Sequence, residues 1–287
     1  MRVRILGSAA GGGCPQWNCA CPVCEAARRG KRGSDAAQVA LQPEAVTQRR
    51  TQDSVAVSGD GRIWHLVNAS PDIRTQLVTT PELAPGPGRR QTPLSSVLLT
   101  TAELDHTIGL LSLREATGLT IRATTAVRGA LEPMRQMLNA YTSVDFRPYE
   151  PELAGGLTLR RLTVGAKRPR YAGEDGEDWV SALRLTDART GSSFVYATCL
   201  PAWTEEFDEF LRGADEVLLD GTFGTNDELT RATGRPGSAA SMGHLPIEVS
   251  RHRQAAHPGT RFRYGHLNNT NPAAGPDIVA DGLVLPL

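Results

Sequence analysis

The sequence lacks an excess of charge of either sign, because its 287 residues contain 31 Lys and Arg against 31 Asp and Glu. Without net positive charge, no broad attraction to nucleic acid or to an anionic membrane is expected, so we predict neither as a partner. The chain also lacks an apolar run long enough to cross a bilayer, and residues 1–5 alternate like a first strand, unlike a signal peptide. We therefore predict a cytoplasmic protein.

The sequence has no nucleotide-binding motif, although a glycine-rich stretch at 7–13 follows the first predicted strand. Neither Gly-Lys-Ser/Thr nor GxGxxG followed by a helix is present, so a phosphate-binding loop is not predicted. Small residues let a backbone approach its neighbours closely, and we interpret this stretch as one wall of an active-site cleft. There is no internal repeat and no linker, so we predict a single domain over 1–287.

The five cysteines are an odd number, and four of them crowd together near the N-terminus, which argues against a disulfide scaffold. Cys19, Cys21 and Cys24 have the spacing C-x-C-x-x-C, which suits three thiolate ligands of one tetrahedral zinc ion. A redox pair of Cys21 and Cys24 is a competing interpretation, and unliganded loop cysteines are a third. The fourth zinc ligand stays open among Cys14, Asn269 and a histidine.

A cluster of acidic residues and a histidine lies in the stretch 98–110, between a short apolar strand and a segment with helical periodicity. Glu103, Asp105 and His106 stand at this junction, where α/β folds place their ligands. Carboxylates and imidazole together suit a divalent metal ion. The alternative is an exposed turn in which Asp105 caps the helix.

Polar residues also follow other predicted strands, namely Asn68, Cys199, Asp220 and His266. Two runs of strands with helices between them predict an α/β (α+β) fold with two β-sheets, outer helices and one cleft at the sheet edge. The charged, glycine-containing segment 165–178 is predicted to be a loop and a candidate lid for that cleft.

Taken together, these motifs resemble the metallo-β-lactamase superfamily and, within it, the pyrroloquinoline quinone (PQQ) biosynthesis protein B family. The matching segments run through nearly the whole chain and are 6–13, 15–19, 68–74, 102–106, 220–222, 242–247 and 266–272. The resemblance implies an αββα sandwich of two mixed β-sheets with outer helices.

The resemblance also implies which residues hold the metal. The superfamily motif is HxHxDH, and Thr101 and Glu103 stand where its first two histidines would be, a depletion that the PQQ biosynthesis family shares. Cys199 stands near the position of an aspartate that bridges two metal ions in hydrolases of the superfamily. The implied metal-site residues are Asp105, His106 and His266, with Glu103 and Cys199 as further candidates.

The implied activity is that of an oxygenase. Two imidazoles and a carboxylate with open positions form the arrangement of non-haem iron(II) oxygenases, so iron(II) is favoured, with manganese or zinc as alternatives. The family resemblance implies hydroxylation of a tyrosine-derived substrate, a Glu-Tyr dipeptide, in PQQ biosynthesis. Asp220 and His244 resemble the acidic residue and the histidine of a proton relay in related phosphodiesterases. Asn68 and Asn269 are predicted to contact the substrate.

Two other functions stay open. A metallo-hydrolase, either a phosphodiesterase or a peptidase, would use a metal-activated water. The loss of two histidines argues against it, because fewer ligands remain to bind two metal ions. A non-catalytic carrier in a biosynthetic complex is the third hypothesis. The expected partner is a small molecule or a short peptide, and a homodimer is a possible assembly.

The C-x-C-x-x-C cluster resembles the structural zinc clip of the same family and of a subgroup of phosphodiesterases. In that subgroup the fourth ligand is a histidine three residues after the last active-site histidine, and here that position is Asn269. The chain also departs from the family in its short tail after Pro272 and in the lid segment 167–178. Both departures are consistent with a changed substrate.

Overall fold

The structure is a computed structural model, and it describes residues 1–30, 49–173 and 176–287. The polar loop that the sequence predicts at 33–51 lies outside the described residues over 33–48, and so do residues 174–175 of the predicted lid. No helix in the described part of the chain is both long and apolar enough to cross a membrane.

Seven strands of the described residues form the first β-sheet, in the order β13-β1-β2-β3-β4-β5-β6. These strands are β1 (Arg2–Gly7), β2 (Ser54–Ser58), β3 (Trp64–Val67), β4 (Leu94–Leu98), β5 (Leu119–Arg122), β6 (Val144–Arg147) and β13 (Val284–Pro286). The strands from β3 to β6 run parallel, whereas β13, β1, β2 and β3 pair antiparallel. The sheet is therefore mixed.

Six strands of the described residues form the second sheet, in the order β12-β11-β10-β9-β8-β7. They are β7 (Glu152–Leu153), β8 (Leu157–Gly165), β9 (Val180–Asp187), β10 (Ser193–Ala197), β11 (Glu216–Asp220) and β12 (Arg261–Gly265). The strands β10, β11 and β12 run parallel, and the others pair antiparallel. This sheet is mixed as well.

Short helices connect the strands of the described residues. They are α1 (Pro22–Arg29), α2 (Ile73–Thr79), α3 (Leu104–Thr107), α4 (Thr125–Ala130), α5 (Glu132–Asn139), α6 (Glu205–Leu211), α7 (Glu228–Thr233) and α8 (Ile247–Arg253). Single 3-10 turns lie at Pro81–Leu83, Ile108–Leu113, Ala240–Met242 and Gln254–Ala256.

The apolar residues over 126–140 have the spacing of one amphipathic helix, but the structure has two helices there. The chain bends at Leu131, between α4 and α5, and Pro133 lies in the first turn of α5. Proline has no amide hydrogen to donate to the preceding turn, so it fits the start of a helix and interrupts its interior. The apolar period continues across the break, since Leu131 and Leu138 both pack into the core.

The two sheets pack face to face. The central core contains Ile5 and Leu98 from the first sheet together with Leu185 and Phe194 from the second, and all four side chains are fully buried. Two further cores lie on the outer faces, where α2, α4 and α5 cover the first sheet and α6 and α8 cover the second. The predicted αββα sandwich is confirmed.

This architecture brings distant parts of the chain together at one sheet edge. Parallel strands present their carboxyl ends on the same side, so the loops that follow β4, β10, β11 and β12 can converge. Those loops carry most of the polar residues that the sequence singles out.

Candidate metal centre

The side chains of Asp105, His106, Cys199 and His266 meet in a cleft of about 220 Å³, and we call these four residues the cleft cluster. Nε2 of His266 lies 3.3 Å from Oδ2 of Asp105. One donor atom each of His106, Cys199 and His266 lie within 4.8 Å of one another. Residues 161 positions apart in sequence therefore share one small volume.

His106 carries the clearest indication of an absent ligand. Its side chain is buried, and its Nε2 has no hydrogen-bond partner among the described residues. Its Nδ1 lies 3.0 Å from the hydroxyl of Thr101, and a proton on Nδ1 leaves the lone pair of Nε2 available. Leaving a buried polar atom unpaired costs about 1–3 kcal/mol, which a ligand at Nε2 would recover.

The donor set of the cleft cluster fits a divalent transition metal. Two imidazoles, one carboxylate and one thiol are available, and each of these groups binds such ions in proteins. His266 has a φ of 57°, a left-handed conformation that is uncommon outside glycine and recurs at functional sites. This conformation turns its ring back toward Asp105.

Electrostatics sets the protonation of the cleft cluster. Burial alone would raise the pKa of Asp105, but the neighbouring imidazoles of His106 and His266 outweigh it and lower that pKa well below its usual range. Burial lowers the pKa of His106. Burial also disfavours the charged form of His266, but its hydrogen bond to Asp105 and the charge of that carboxylate outweigh this and raise its pKa. Asp105 is therefore an anion and His106 a neutral imidazole, the forms that bind metal.

Cys199 completes the cluster as a half-buried thiol after β10. Burial raises the pKa of this thiol well above its ordinary value, and the carboxylates of Asp220 and Asp105 raise it further. Without a cation the sulfur therefore stays protonated. A metal ion would reverse that preference, because a coordinating thiol loses its proton.

His244 and Asp220 form a second pair beside the cluster. Nδ1 of His244 lies 2.8 Å from Oδ2 of Asp220, whose carboxylate also accepts the backbone N–H groups of Leu200 and Thr222. Burial would raise the pKa of Asp220, but His244 outweighs it and keeps that pKa low. The carboxylate is ionised, so it accepts the Nδ1 proton of His244 and leaves Nε2 as that ring's proton acceptor.

Thr222 is a residue whose role sequence reasoning missed. Its Oγ1 lies 3.0 Å from Nδ1 of His244 and 2.9 Å from Nδ1 of His266, so one hydroxyl bridges both imidazoles. A hydrogen bond at Nδ1 directs Nε2 of His266 toward the cluster. The only available signal was a hydroxyl residue two positions after the carboxylate that ends β11.

The walls of the cleft match two predictions. Ala10 and Gly11 of the glycine-rich stretch line it, and a Cβ atom on Gly11 would lie 3.2 Å from Oδ2 of Asp105. Glu103 also lines the cleft, and burial raises the pKa of its carboxyl. Lys167 of the predicted lid also lines the cleft.

Asn68 does not have the predicted substrate contact. Its side chain is fully buried, its Nδ2 donates to the hydroxyls of Thr100 and Tyr196, and its Oδ1 accepts the backbone N–H of Thr100. The amide is thus occupied within the sandwich and does not line the cleft. In this structure the residue after β3 therefore faces the interior and not the cleft.

Asn269 is also away from the cleft, next to the sulfur atoms of Cys19, Cys21 and Cys24, which we call the cysteine clip. The three sulfurs lie within 4.8 Å of one another. The amide nitrogen of Asn269 lies 3.3 Å from Sγ of Cys24, and its backbone oxygen lies 3.5 Å from Sγ of Cys21. In this structure the side chain of Asn269 therefore faces the clip and does not line the cleft.

The clip fits a tetrahedral ion with Asn269 beside the open position. The amide oxygen and nitrogen are exchanged by a flip of the side chain, which would turn Oδ1 toward the sulfurs. Cys14 is buried nearby but outside the group of three, and burial and Cys24 raise the pKa of its thiol to about 11. Burial also raises the pKa of Cys21 to about 11, which favours the thiol form of this sulfur.

Comparisons with known proteins agree with this fold. Residues 63–260 match the beta-lactamase superfamily domain. A coenzyme PQQ synthesis protein B from Methylobacterium nodulans is 37% identical over 315 aligned residues, which cover 100% of both chains. The crystal structure of Zn(2+)-bound PqqB from Methylobacterium extorquens superimposes with a TM-score of 0.81 at 31% identity, again over 100% of both chains.

A more distant structure shares the fold alone. A diphosphatase of the PhnP family superimposes with a TM-score of 0.69 at 19% identity, over 100% of this chain and 97% of its own. This similarity shows the shared fold, and a shared fold does not imply a shared function.

Proposed function

Because the chain belongs to the coenzyme PQQ synthesis protein B family of the beta-lactamase superfamily, we propose that it is a metal-dependent oxygenase of PQQ biosynthesis. Its proposed substrate is a tyrosine-derived peptide or amino acid, which it would hydroxylate. Iron(II) is the proposed metal of the cleft, with manganese or zinc as alternatives.

The observation that carries the proposal is Nε2 of buried His106, which has no hydrogen-bond partner in the described part of the chain and lies beside Asp105 and His266. Two imidazoles and a carboxylate leave several coordination positions of an octahedral ion for other ligands, as in iron(II) oxygenases. Thr101 and Glu103 replace the first two histidines of the superfamily motif. This exchange removes ligands that a second metal ion would need.

Asp105, His106 and His266 would hold the ion, and Cys199 and Glu103 are proposed as additional ligands or neighbours. Bound iron(II) would supply the redox chemistry that activates dioxygen. The buried walls of the cleft would exclude water, which protects reactive species from side reactions. Thr101 and Thr222 orient the two imidazoles through their Nδ1 atoms.

His244 is proposed as the proton carrier. Asp220 accepts the proton on Nδ1 of His244 at 2.8 Å, and the ring lines the cleft, so its Nε2 is the atom that can exchange protons with a substrate. The rings of His244 and His266 stack with centroids 5.7 Å apart. This spacing puts the proton carrier directly beside the proposed metal ligands.

The proposal is tested by loading the metal-free chain with iron(II) and supplying Glu-Tyr, isotopically labelled dioxygen and ascorbate. One oxygen atom enters the product, the other leaves as water, and ascorbate supplies the two electrons that this balance requires. We expect labelled hydroxylated dipeptide from the iron-loaded chain and none from the zinc-loaded chain. Unlabelled product, or no product, would contradict an oxygenase.

A hydrolase is the second candidate, and the Asp220–His244 pair favours it. A histidine held by a carboxylate next to a metal site is equally suited to general acid–base catalysis of hydrolysis. Turnover of a phosphodiester by the zinc- or manganese-loaded chain, without oxygen consumption, would support this function instead. A chain inactive in both assays would leave a non-catalytic carrier role in the same biosynthesis.

We further propose that the cysteine clip holds a structural zinc ion. Three sulfurs within 4.8 Å and Asn269 beside them support a site separate from the cleft. Thiols at this spacing persist in a reducing compartment, which supports the cytoplasm as the proposed location. The single domain and the homodimer stay predictions.

A further inference from the structure

Lys167 lines the same cleft as the residues of the cleft cluster. Among the cleft-lining residues that the structure describes, it is the only lysine or arginine. It follows β8 in the loop toward β9, and its side chain is exposed. Its charge can therefore reach the cleft without the cost of complete burial.

The ammonium group of Lys167 keeps unused donors. Its Nζ donates to the backbone carbonyl of Met242, which closes the 3-10 turn Ala240–Met242. None of the ion pairs within 4.0 Å among the described residues includes Lys167. A lysine ammonium has three donors, so two are left for a ligand in the cleft.

The side chain of Lys167 packs closely against a glycine, Gly243. Gly243 has a φ of 79°, and a Cβ atom there would lie 2.8 Å from Cδ of Lys167. Any larger residue would push the lysine stem aside and strain the turn that leads to His244. The position of Lys167 is thus built into the segment that carries the proposed proton carrier.

The loop itself is held by other contacts. The hydroxyl of Tyr171 donates to the carbonyl of Ala102, and Arg168 donates to the carbonyl of Ala172 at 3.0 Å. Arg168 does not line the cleft. Removing the charge of Lys167 should therefore leave the loop in place.

We propose that Lys167 binds a carboxylate of the substrate and so orients a tyrosine-derived peptide with its acidic group at this wall of the cleft. This inference rests on the proposed function. The cleft otherwise carries the acidic side chains of Glu103 and Asp105, which repel a substrate carboxylate. Beside the proposed metal ion, Lys167 is the one lysine or arginine of the described cleft lining, so it can hold a substrate carboxylate at a place of its own.

A purely structural role for Lys167 makes a different prediction. A lysine that only ties the 240–242 turn would affect all ligands equally. A lysine that binds a carboxylate affects only ligands that have one. A double-mutant cycle separates the two roles. The charge is removed from Lys167, from the ligand and from both, and the affinities of the four combinations are compared.

The experiment is calorimetric titration of the zinc-loaded chain, which prevents turnover, with Glu-Tyr, its C-terminal amide and Gln-Tyr. For the unsubstituted chain we expect one of the two analogues to bind about 10- to 100-fold more weakly than Glu-Tyr. Lys167→Met should bind Glu-Tyr as weakly as that analogue and should no longer discriminate between them. Lys167→Arg should retain most of the preference, and Arg168→Met serves as the matched loss of charge in the same loop.

Three outcomes would overturn the proposal that Lys167 binds a substrate carboxylate. If Lys167→Met keeps the full preference for Glu-Tyr, the carboxylate site is wrong while the proposed function stands. If Arg168→Met loses the preference as strongly as Lys167→Met, the preference does not come from a bond between Lys167 and the ligand, and the specific site is also wrong. If the unsubstituted chain binds none of the three ligands, the proposed substrate class fails and this site with it.

Discussion

The cleft cluster and the cysteine clip are two candidate metal sites built in opposite ways. The clip draws its three sulfurs from six consecutive residues, whereas the cleft cluster joins strand ends up to 161 positions apart. The clip offers soft thiols, and the cleft offers mainly imidazole and carboxylate. The comparison teaches that local spacing brings the three sulfurs of the clip together, whereas the cleft cluster depends on the whole sandwich.

The two sites share one segment of the chain. His266 points into the cleft, and Asn269, three residues later, faces the clip. An ion in the clip would therefore anchor the loop that follows the proposed ligand His266. The sites use separate donor atoms, so each should bind its ion when the other is removed.

The largest expected effect that separates the sites is that of His106→Ala. Loss of one imidazole should weaken binding of iron(II) or manganese in the cleft by more than about 100-fold. This exceeds the loss that typically follows when a residue that hydrogen-bonds to a metal ligand is replaced. Zinc in the clip should persist. Titration of manganese into the metal-free variant measures the effect, with the exposed histidine variant His252→Ala as control. Unchanged affinity in His106→Ala would mean that the cleft is not the metal site.

The converse change is Cys21→Ser. It should remove the clip zinc and lower the free energy of unfolding by about 4 kcal/mol when free zinc exceeds its dissociation constant about 1,000-fold. Metal in the cleft should remain. Metal analysis and denaturant unfolding test both statements, and Cys14→Ser is the matched control from the same region. Loss of zinc in Cys14→Ser would instead identify Cys14 as a ligand.

The effect expected from His244→Ala falls on catalysis, and both metals should stay bound. Loss of a general acid or base reduces turnover about 10²- to 10⁴-fold. The control His257→Ala removes another histidine paired with a carboxylate, at 3.1 Å from Asp208. If His244→Ala instead loses the cleft metal, His244 is a ligand and our assignment of its role is wrong.

The smallest expected effect is that of Thr101→Ala. The hydroxyl of Thr101 only orients His106 through Nδ1, so its loss should weaken the cleft metal about 10- to 100-fold. Thr101→Ser keeps the hydroxyl and should restore affinity. Equal weakening in both variants would assign the effect to packing and not to the hydrogen bond.

Much of this arrangement could be predicted from the sequence. Asp105, Asp220 and His266 each follow a buried strand, and parallel strands present their carboxyl ends at one edge. The αββα class could be predicted from the two runs of strands with helices between them, together with the family resemblance. Local patterns were sufficient because these residues owe their position to the strands that precede them.

The remaining details depend on tertiary contacts. Asn68 has the same strand-end pattern as Asp220, yet its amide bonds Thr100 and Tyr196 inside the sandwich. Asn269 faces the clip because the fold brings it next to Cys21 and Cys24, which lie 248 and 245 positions earlier in the sequence. Which side of a strand end faces solvent is set by packing between the sheets, and no single window of sequence carries that information.

The central claim is that one chain holds two independent metal sites. Native mass spectrometry of the folded protein measures it directly on the unsubstituted chain, Cys21→Ser, His106→Ala and the combined variant, each loaded with zinc. The account predicts two bound ions in the unsubstituted chain, one in each single variant and none in the combination. Two ions retained by His106→Ala, or both lost by Cys21→Ser alone, would contradict it.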